Sequence, residues 1–286
     1  MNKVVFLGFD AGNKYLIQDW ANAGILPTFR SLLAKGLKGD TTALDLFTGA
    51  IWPSFMTGAA PARHSVHTWL QLKPGSYEFY RSYAGDHIKR EPFWNYLSRA
   101  GRKVTVLDIP LSRVTQNLNG VQLAEWGTHD NYSGFATWPP LLAQDVVSRF
   151  GKHPLTQICN ADRSAKEYAA FRDDLLRGIS TKVQITKHFL HESQWQFFAQ
   201  VFTEGHCAGH QCWHFHDTNH PRHDPEQAGV VGNPLKDVYV AIDAAIGEVL
   251  KDLDDETTVV VLVSHGMSYR YGAHFLLDEI LLRLGS

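Results

Sequence analysis

Residues 4–10 read VVFLGFD, an apolar run that ends in a carboxylate at Asp10. A continuous run of this kind predicts a strand buried on both faces of a sheet. Three later apolar runs, at 103–109, 196–203 and 257–264, predict three more strands. Helix signals separate the strands, and we predict helices at 14–23, 27–35, 92–100, 139–150, 164–191 and 234–252. Strands that alternate with helices predict an α/β fold, layered α/β/α around a mostly parallel central sheet.

The length and composition of the chain are those of an ordinary globular protein. It has 286 residues, of which 44% are hydrophobic and 20% charged, and we predict a single domain over 1–286. Two segments, 65–91 and 110–138, are rich in glycine, proline, asparagine and aromatic residues. They predict loops or a small loop-rich cap over the site rather than elements of the core.

Charge and hydropathy argue against two classes of partner. The formal net charge is −2, so the chain lacks both the positive surface of a nucleic-acid binder and the polybasic segment of a membrane anchor. No apolar run approaches the ~20 residues that a membrane span needs. Three cysteines are too few for a disulfide scaffold and suit a reducing compartment. We therefore predict a cytoplasmic protein with no nucleic-acid polymer and no membrane as partner; the oligomeric state is left open.

Polar residues gather where three of the predicted strands end. Asp10 ends the first run, the segment 204–216 follows the third, and Ser264 with His265 ends the fourth. Because ligands of open α/β sheets bind beside the carboxyl ends of the strands, these residues predict a common site. Taken one at a time, Asp10 is equally well explained as a helix cap, and His265 is better explained as a structural histidine.

The segment 204–217, EGHCAGHQCWHFHD, is dense in histidine. His206, His210 and His214 are four residues apart and would share one face of a helix. Two imidazoles at this spacing can bind one metal ion, so we predict His206 and His210 as ligands, with His206 in a loop beside the preceding strand. A solvated histidine-rich turn is the alternative, and we expect it for the last three histidines of the region, His216, His220 and His223.

Two hydroxyls and two thiols near these clusters are further candidates. Thr48 and Ser54 lie near the start of a predicted short helix in LFTGAIWPSFMTG, residues 46–58, where free N–H groups favour a phosphate. A hydroxyl becomes a good nucleophile only with a base or a metal, so each, taken alone, is better explained as a helix cap. Cys207 and Cys212 match no common zinc-site spacing, and we expect small buried hydrophobes.

Taken together and in chain order, these motifs resemble the alkaline phosphatase superfamily, and within it the type I phosphodiesterase/nucleotide pyrophosphatase branch. The residues that carry the resemblance are GFD at 8–10, TGAIWPSFMTG at 48–58 with PARH at 61–64, and HGM at 265–267. The resemblance covers nearly the whole chain. It implies an alkaline-phosphatase-like arrangement of the α/β fold.

The resemblance implies roles for five residues. Thr48 is the implied nucleophile and also a metal ligand. Asp10 and His265 are implied ligands of one ion. His206 and His210 occupy the positions of the family's Asp-x-x-x-His motif, which holds a second ion. The implied cofactors are one or two divalent metal ions, with zinc as the first choice and iron or manganese as alternatives.

The sequence departs from the family pattern in three ways. Ser264 and His206 each stand where the family has aspartate, so the site loses two negative charges and gains an imidazole. Imidazole-rich ligation favours zinc or iron over magnesium. The family's further histidine ligand would lie beyond residue 286, and His274 is closer to His265 than the family spacing. We therefore expect either a truncated or naturally short form, or an incomplete second metal site.

The implied activity is metal-dependent hydrolysis of a small-molecule phosphoester, either a phosphodiester or a nucleotide-type pyrophosphate, through a phosphothreonine at Thr48. Within the superfamily, the alternatives are a phosphomonoesterase and a sulfatase. The usual sulfatase motif, Cys-x-Pro-x-Arg, is absent from this chain. The alternative from another class is a relic that binds a metal or a phosphorylated ligand without turnover, which the replacements at Ser264 and His206 would explain.

Overall fold

A computed structural model describes residues 3–42, 48–82, 87–127, 133–155, 162–268 and 276–285. Within these ranges, six strands form a central sheet and two form a separate hairpin. In chain order the strands are β1 (Val4–Phe9), β2 (Leu70–Leu72), β3 (Phe79–Arg81), β4 (Val104–Leu107), β5 (Gly120–Ala124), β6 (Ala136–Trp138), β7 (Phe197–Phe202) and β8 (Thr258–Val263).

The central sheet has the strand order β6-β5-β4-β7-β1-β8. All neighbouring pairs are parallel except β5 and β6, which are antiparallel. β1 lies between β7 and β8, so that Gly8 is opposite Val201 on one side and Leu262 on the other. The prediction of a mostly parallel central sheet is confirmed, and the four predicted apolar runs form β1, β4, β7 and β8.

Helices occupy most of the remaining described chain. In chain order they are α1 (Lys14–Asn22), α2 (Pro27–Lys35), α3 (Ile51–Thr57), α4 (Pro61–His64), α5 (Phe93–Arg99), α6 (Leu142–Phe150), α7 (Ala165–Glu192), α8 (Glu204–His216), α9 (Pro225–Val231), α10 (Pro234–Leu250) and α11 (Leu277–Leu284). A one-turn 3-10 helix, Thr48–Ala50, leads into α3. Among the helices of the described ranges, none combines the length and the apolar character needed to cross a membrane.

Helices cover both faces of the sheet because successive side chains of a strand point to opposite sides. On one face Leu7 and Phe9 of β1 lie in a buried cluster with side chains of α1, α2, α7, α8 and α10. On the other face Phe6 packs with Trp52 of α3 and Trp94 of α5. Fully burying a large apolar side chain contributes about 1.5–3 kcal/mol. The predicted α/β/α layering is confirmed.

The segment 110–138 is not confined to loops or a cap, because it supplies β5 and β6 to the central sheet. Residues 121–126 are strand-like in sequence, but Gln122 at the centre of β5 interrupts the apolar run. Gln122 is fully buried, and its side chain accepts the Thr115 N–H and donates to the Arg113 carbonyl, both at 2.8 Å. The segment 65–91 does lie outside the central sheet, where it forms the β2–β3 hairpin. Its role as a cap stays a prediction.

Candidate metal centre

Three neighbouring strands end at one edge of the sheet, and backbone hydrogen bonds continue one residue beyond them. The Asp10 N–H donates to the Phe202 carbonyl of β7 at 3.0 Å. The Ser264 N–H donates to the Phe9 carbonyl of β1 at 3.1 Å. α8 begins at Glu204, immediately beyond β7. The ends of β1, β7 and β8 thus bring Asp10, the first turn of α8 and the segment after β8 to one place.

Asp10, His206 and His265 form a group at this edge, which we call the candidate metal centre. Each residue offers one ligand atom, and the three atoms lie within 4.8 Å of one another. His206 Nδ1 lies 2.7 Å from Asp10 Oδ2, and the ring centroids of His206 and His265 are 5.7 Å apart. The structure therefore brings together the residues that the sequence places at three separate strand ends.

The second histidine of α8 extends this group. His210 Nε2 lies 2.9 Å from His206 Nε2, and the two ring centroids are 4.8 Å apart. The expectation that His206 lies in a loop is wrong, because the helix already begins at Glu204. Gly205 permits this early start, since a Cβ at that position would overlap the ring of Phe9.

The Asp10 carboxylate is buried and held from several directions. Its Oδ1 accepts Trp52 Nε1–H at 2.7 Å and the Ser264 hydroxyl at 3.2 Å. The Ser264 hydroxyl in turn accepts the Ala11 N–H at 2.8 Å. Burial by itself raises the pKa of Asp10, but His206, through its charge and hydrogen bond, holds that pKa well below its ordinary value, with smaller contributions from His265 and Trp52. The group is therefore a carboxylate.

The converging donors suit a borderline divalent cation. Two imidazoles and a carboxylate meet within the candidate metal centre, and the His210 imidazole adjoins them. Imidazole nitrogen and carboxylate oxygen are common ligands of zinc and related ions. Cys207 and Cys212 do not join them, since both are buried in the hydrophobic core, as predicted. The donor set present in the chain fits the ion that the sequence predicts.

The later histidines of α8 do not join the centre. His214 is buried against Tyr168 of α7, with ring centroids 5.3 Å apart. Eight residues of an α-helix turn about 80° past two full turns, so the third histidine leaves the face of the first. Burial, helped by nearby Arg222, lowers the pKa of His214 to about 4 and keeps the ring neutral. His216 belongs to the helix and packs on Trp20, so the expectation of a solvated turn is wrong for it.

The segment that carries Thr48 is connected to the centre through Trp52. Thr48 opens the 3-10 turn that leads into α3, and Trp52 in the first turn of α3 donates to Asp10. The side chain of Thr48 lies outside the described structure, and its catalytic role stays a prediction. Trp52 lies inside the motif at 48–58 but has no role predicted from sequence, because a tryptophan in a short helix usually indicates core packing.

Ser54 is not the helix cap that the sequence predicts, because α3 has Ala50 at its N-cap. Ser54 Oγ lies 2.9 Å from Nε2 of His64. The Val66 N–H donates to His64 Nδ1 at 3.2 Å, which assigns the proton of the neutral imidazole to Nε2. Burial lowers the pKa of His64 and so favours that neutral form. Nε2 therefore donates to Ser54 and is unable to remove the Ser54 proton.

Comparison with known proteins agrees with these motifs. The chain matches the family described as type I phosphodiesterase / nucleotide pyrophosphatase over residues 4–281. The chain belongs to this family. The resemblance to this family that the sequence motifs indicate is thereby confirmed. Among curated proteins, none matches the chain.

The fold of this type I phosphodiesterase family member is similar to that of phosphonoacetate hydrolase from Sinorhizobium meliloti 1021. The complex with phosphonoformate has a TM-score of 0.55 and 15% sequence identity, over 98% of this chain and 62% of that chain. The complex with phosphonoacetate has a TM-score of 0.57 and 16% identity over the same shares. Identities this low show the shared fold, and the family member spans 62% of the length of these relatives.

Proposed function

We propose that the chain is a metal-dependent hydrolase of small-molecule phosphoesters, with phosphodiesters or nucleotide-type pyrophosphates as substrates. The observation that carries the proposal is the convergence of Asp10, His206 and His265 at one edge of the sheet in a member of this family. Ligands of α/β folds bind at this edge of the sheet. The small number of cysteines supports a cytoplasmic location.

Asp10, His206 and His265 would hold a divalent ion, with His210 as the neighbouring donor. The family resemblance divides these residues between two ions, whereas their proximity supports one shared centre. The imidazole-rich set favours zinc, with iron or manganese as alternatives. A bound ion supplies Lewis-acid stabilisation to the phosphoryl oxygens and lowers the pKa of a coordinated hydroxyl.

Thr48 is the proposed nucleophile, and its hydroxyl would also contact the ion. In the first half-reaction, the Thr48 oxygen bonds to phosphorus while the P–O bond to the leaving alcohol breaks. The hydroxyl proton ends on that alcohol, and a phosphothreonine remains. In the second half-reaction, water adds to phosphorus, the bond to Thr48 breaks, and one water proton restores the hydroxyl. Asp10 keeps its orientation throughout because Trp52 and Ser264 hold it.

The proposal is tested by metal analysis together with turnover. Protein purified without chelator is analysed for zinc, iron and manganese, and hydrolysis of an aryl phosphodiester is followed with each ion added. We expect stoichiometric metal and turnover that the Thr48→Ala variant lacks. A metal-free protein that none of the three ions activates contradicts the proposal.

The departures at Ser264 and His206 favour one alternative from another class, a protein that binds a metal or a phosphorylated ligand without turnover. A substrate panel separates this alternative from catalysis. The panel contains an aryl phosphodiester, an aryl phosphomonoester, an aryl sulfate, a dinucleoside pyrophosphate and phosphonoacetate, the ligand named for one structural relative. Metal binding without cleavage of any member supports the binding protein. If the protein preferentially cleaves the monoester, the sulfate or the phosphonate, the class of that compound replaces phosphodiesters and pyrophosphates as the proposed substrate class.

A further inference from the structure

A second group of charged residues is buried at the same edge of the sheet, beside the candidate metal centre. Lys182 of α7 is 1% exposed, and its ammonium lies 3.2 Å from Glu204 Oε1 and 3.4 Å from Asp108 Oδ2. Asp108 follows β4, and Glu204 is the first residue of α8. Burial alone lowers the pKa of Lys182, but Glu204 and Asp108 raise it above its ordinary value. The side chain therefore carries its charge in the interior.

The Lys182 ammonium connects the ends of three strands. It donates to the Gly127 carbonyl beyond β5 at 3.0 Å, to the Val201 carbonyl of β7 at 3.3 Å, and to the Thr203 hydroxyl at 3.1 Å. The partner carboxylate is fixed as well, since Asp108 accepts the Gly127 N–H at 2.9 Å. One buried cation thus holds β4, β5 and β7 together at the point where α8 begins.

Stability alone does not explain this arrangement. A buried ion pair can often be replaced by apolar residues without loss of stability, because both charges must be desolvated. Among the described residues, Glu204 Oε2 is buried and accepts no hydrogen bond, which adds to that cost. His153 Nε2 lies 3.2 Å from Glu204 Oε1, and a side chain at Gly178 would overlap the His153 ring. Residues of α7 and of the segment after α6 are thus arranged around the Glu204 carboxylate, although apolar packing does not require a charge there.

The place of Glu204 in α8 connects it to the metal ligands. His206 and His210 follow it on the same rigid helix. A rotation of α8 by about 20° would move an imidazole nitrogen, ~5–6 Å from the helix axis, by about 2 Å. Metal–ligand distances tolerate only about 0.2 Å. Holding the first residue of the helix is therefore an effective way to fix both imidazoles.

We propose that Lys182 and Glu204 are positioning residues, which set the rotation of α8 and so hold His206 against Asp10 and His210 beside His206. This inference rests on the proposed metal centre, which neither residue belongs to. The pairing fixes the start of the helix before an ion arrives. An apolar pair of similar volume would fill the same space without specifying that orientation.

The test compares Lys182→Met with Lys187→Met, a control on the same helix. Lys187 is partly exposed and lies 3.3 Å from Asp252, on the surface. Cobalt(II) binding is followed by its visible absorption in folded protein, and amide hydrogen exchange of residues 204–210 is followed in metal-free protein. We expect Lys182→Met to bind cobalt about 10–100-fold more weakly, with an altered absorption spectrum and faster exchange. Lys187→Met should match the wild type.

A folded Lys182→Met variant with wild-type affinity and spectrum overturns the proposal. Should Lys182→Met fail to fold, Glu204→Gln keeps the volume of the side chain and removes the charge that pairs with Lys182. Wild-type cobalt affinity in the Glu204→Gln variant would also contradict the positioning role of Lys182 and Glu204. A wild-type protein that binds no cobalt defeats the proposed centre instead. Hydrogen exchange over 204–210 then decides the positioning role, and unchanged exchange in the variants overturns it.

Discussion

Asp10 is a single side chain that its neighbours hold in one orientation. Trp52 and Ser264 donate to one of its oxygens, and His206 lies against the other. Partners that are fixed by packing hold a carboxylate in one orientation, which saves reorganisation when a ligand binds. The ring of Trp52 is held by packing against the sheet and against Phe55, at a centroid distance of 5.6 Å.

Trp52→Phe should weaken metal binding without unfolding the protein. The change removes the N–H that donates to Asp10 and keeps an aromatic ring in the core. Loss of such a supporting hydrogen bond typically lowers metal affinity 10–100-fold, measured by zinc titration against a chromophoric chelator. The matched control is Trp94→Phe, because Trp94 is buried and its Nε1 has no hydrogen-bond partner among the described residues. Equal affinities in the two variants would show that the indole N–H does not support the centre.

Thr48→Ala should abolish phosphodiester turnover and leave bound metal, because Asp10, His206 and His265 remain. Thr48→Ser should keep measurable turnover, since the hydroxyl survives. The comparison is Ser54→Ala, which removes the hydrogen bond to His64 and should cost about 1 kcal/mol of unfolding free energy without abolishing turnover. Steady-state kinetics and urea unfolding measure the two effects. An inactive Ser54→Ala beside an active Thr48→Ala would move the chemistry to Ser54.

At the level of elements, the strands that can be predicted are those whose own residues carry the signal. β1, β4, β7 and β8 follow from apolar runs, because parallel strands covered on both faces are rich in apolar residues. β5 is only weakly indicated by its strand-like sequence, because Gln122 interrupts the apolar residues and finds its hydrogen-bond partners in the same segment. Lys182 could not be recognised, since a lysine in the apolar stripe of a helix usually extends its charge to solvent. Its burial depends on acceptors at the ends of β4, β5 and β7, which are distant in sequence.

The burial of α8 should make stability depend on pH through His214. The pKa of His214 falls from 6.5 in an ordinary histidine to about 4 in the fold, so the unfolded chain binds the proton more readily. The contribution of His214 to the unfolding free energy is therefore fully present above pH 6.5 and is lost as the pH drops toward 4. Between pH 7 and 5 the wild type should lose roughly 1–2 kcal/mol more than His214→Gln, measured by urea unfolding. His191→Gln, at a largely exposed site on α7, serves as the control. Parallel losses in wild type and His214→Gln would contradict the assignment.

For the whole molecule, the centre links three strands that are distant in the chain. Asp10, His206 and His265 follow β1, β7 and β8, so an ion bound by all three stabilises their association. Zinc at one hundred times its dissociation constant should add about 2.7 kcal/mol to the unfolding free energy. That corresponds to a rise in Tm of about 5 °C for a chain of this size, measured by scanning calorimetry. His265→Ala should lose most of the rise. An equal rise in that variant would place zinc elsewhere.

The position of β1 in the sheet has a consequence for synthesis. Its two neighbours are β7 and β8, which begin at residues 197 and 258. A ribosome adds about 5–20 residues each second, so the first strand waits on the order of 10–40 s for its nearest partner. During that time VVFLGF is an exposed aggregation-prone segment. Shielding by a chaperone or by the early helices would protect this segment, and an ion that needs all three proposed ligands could bind only after β8 has been synthesised.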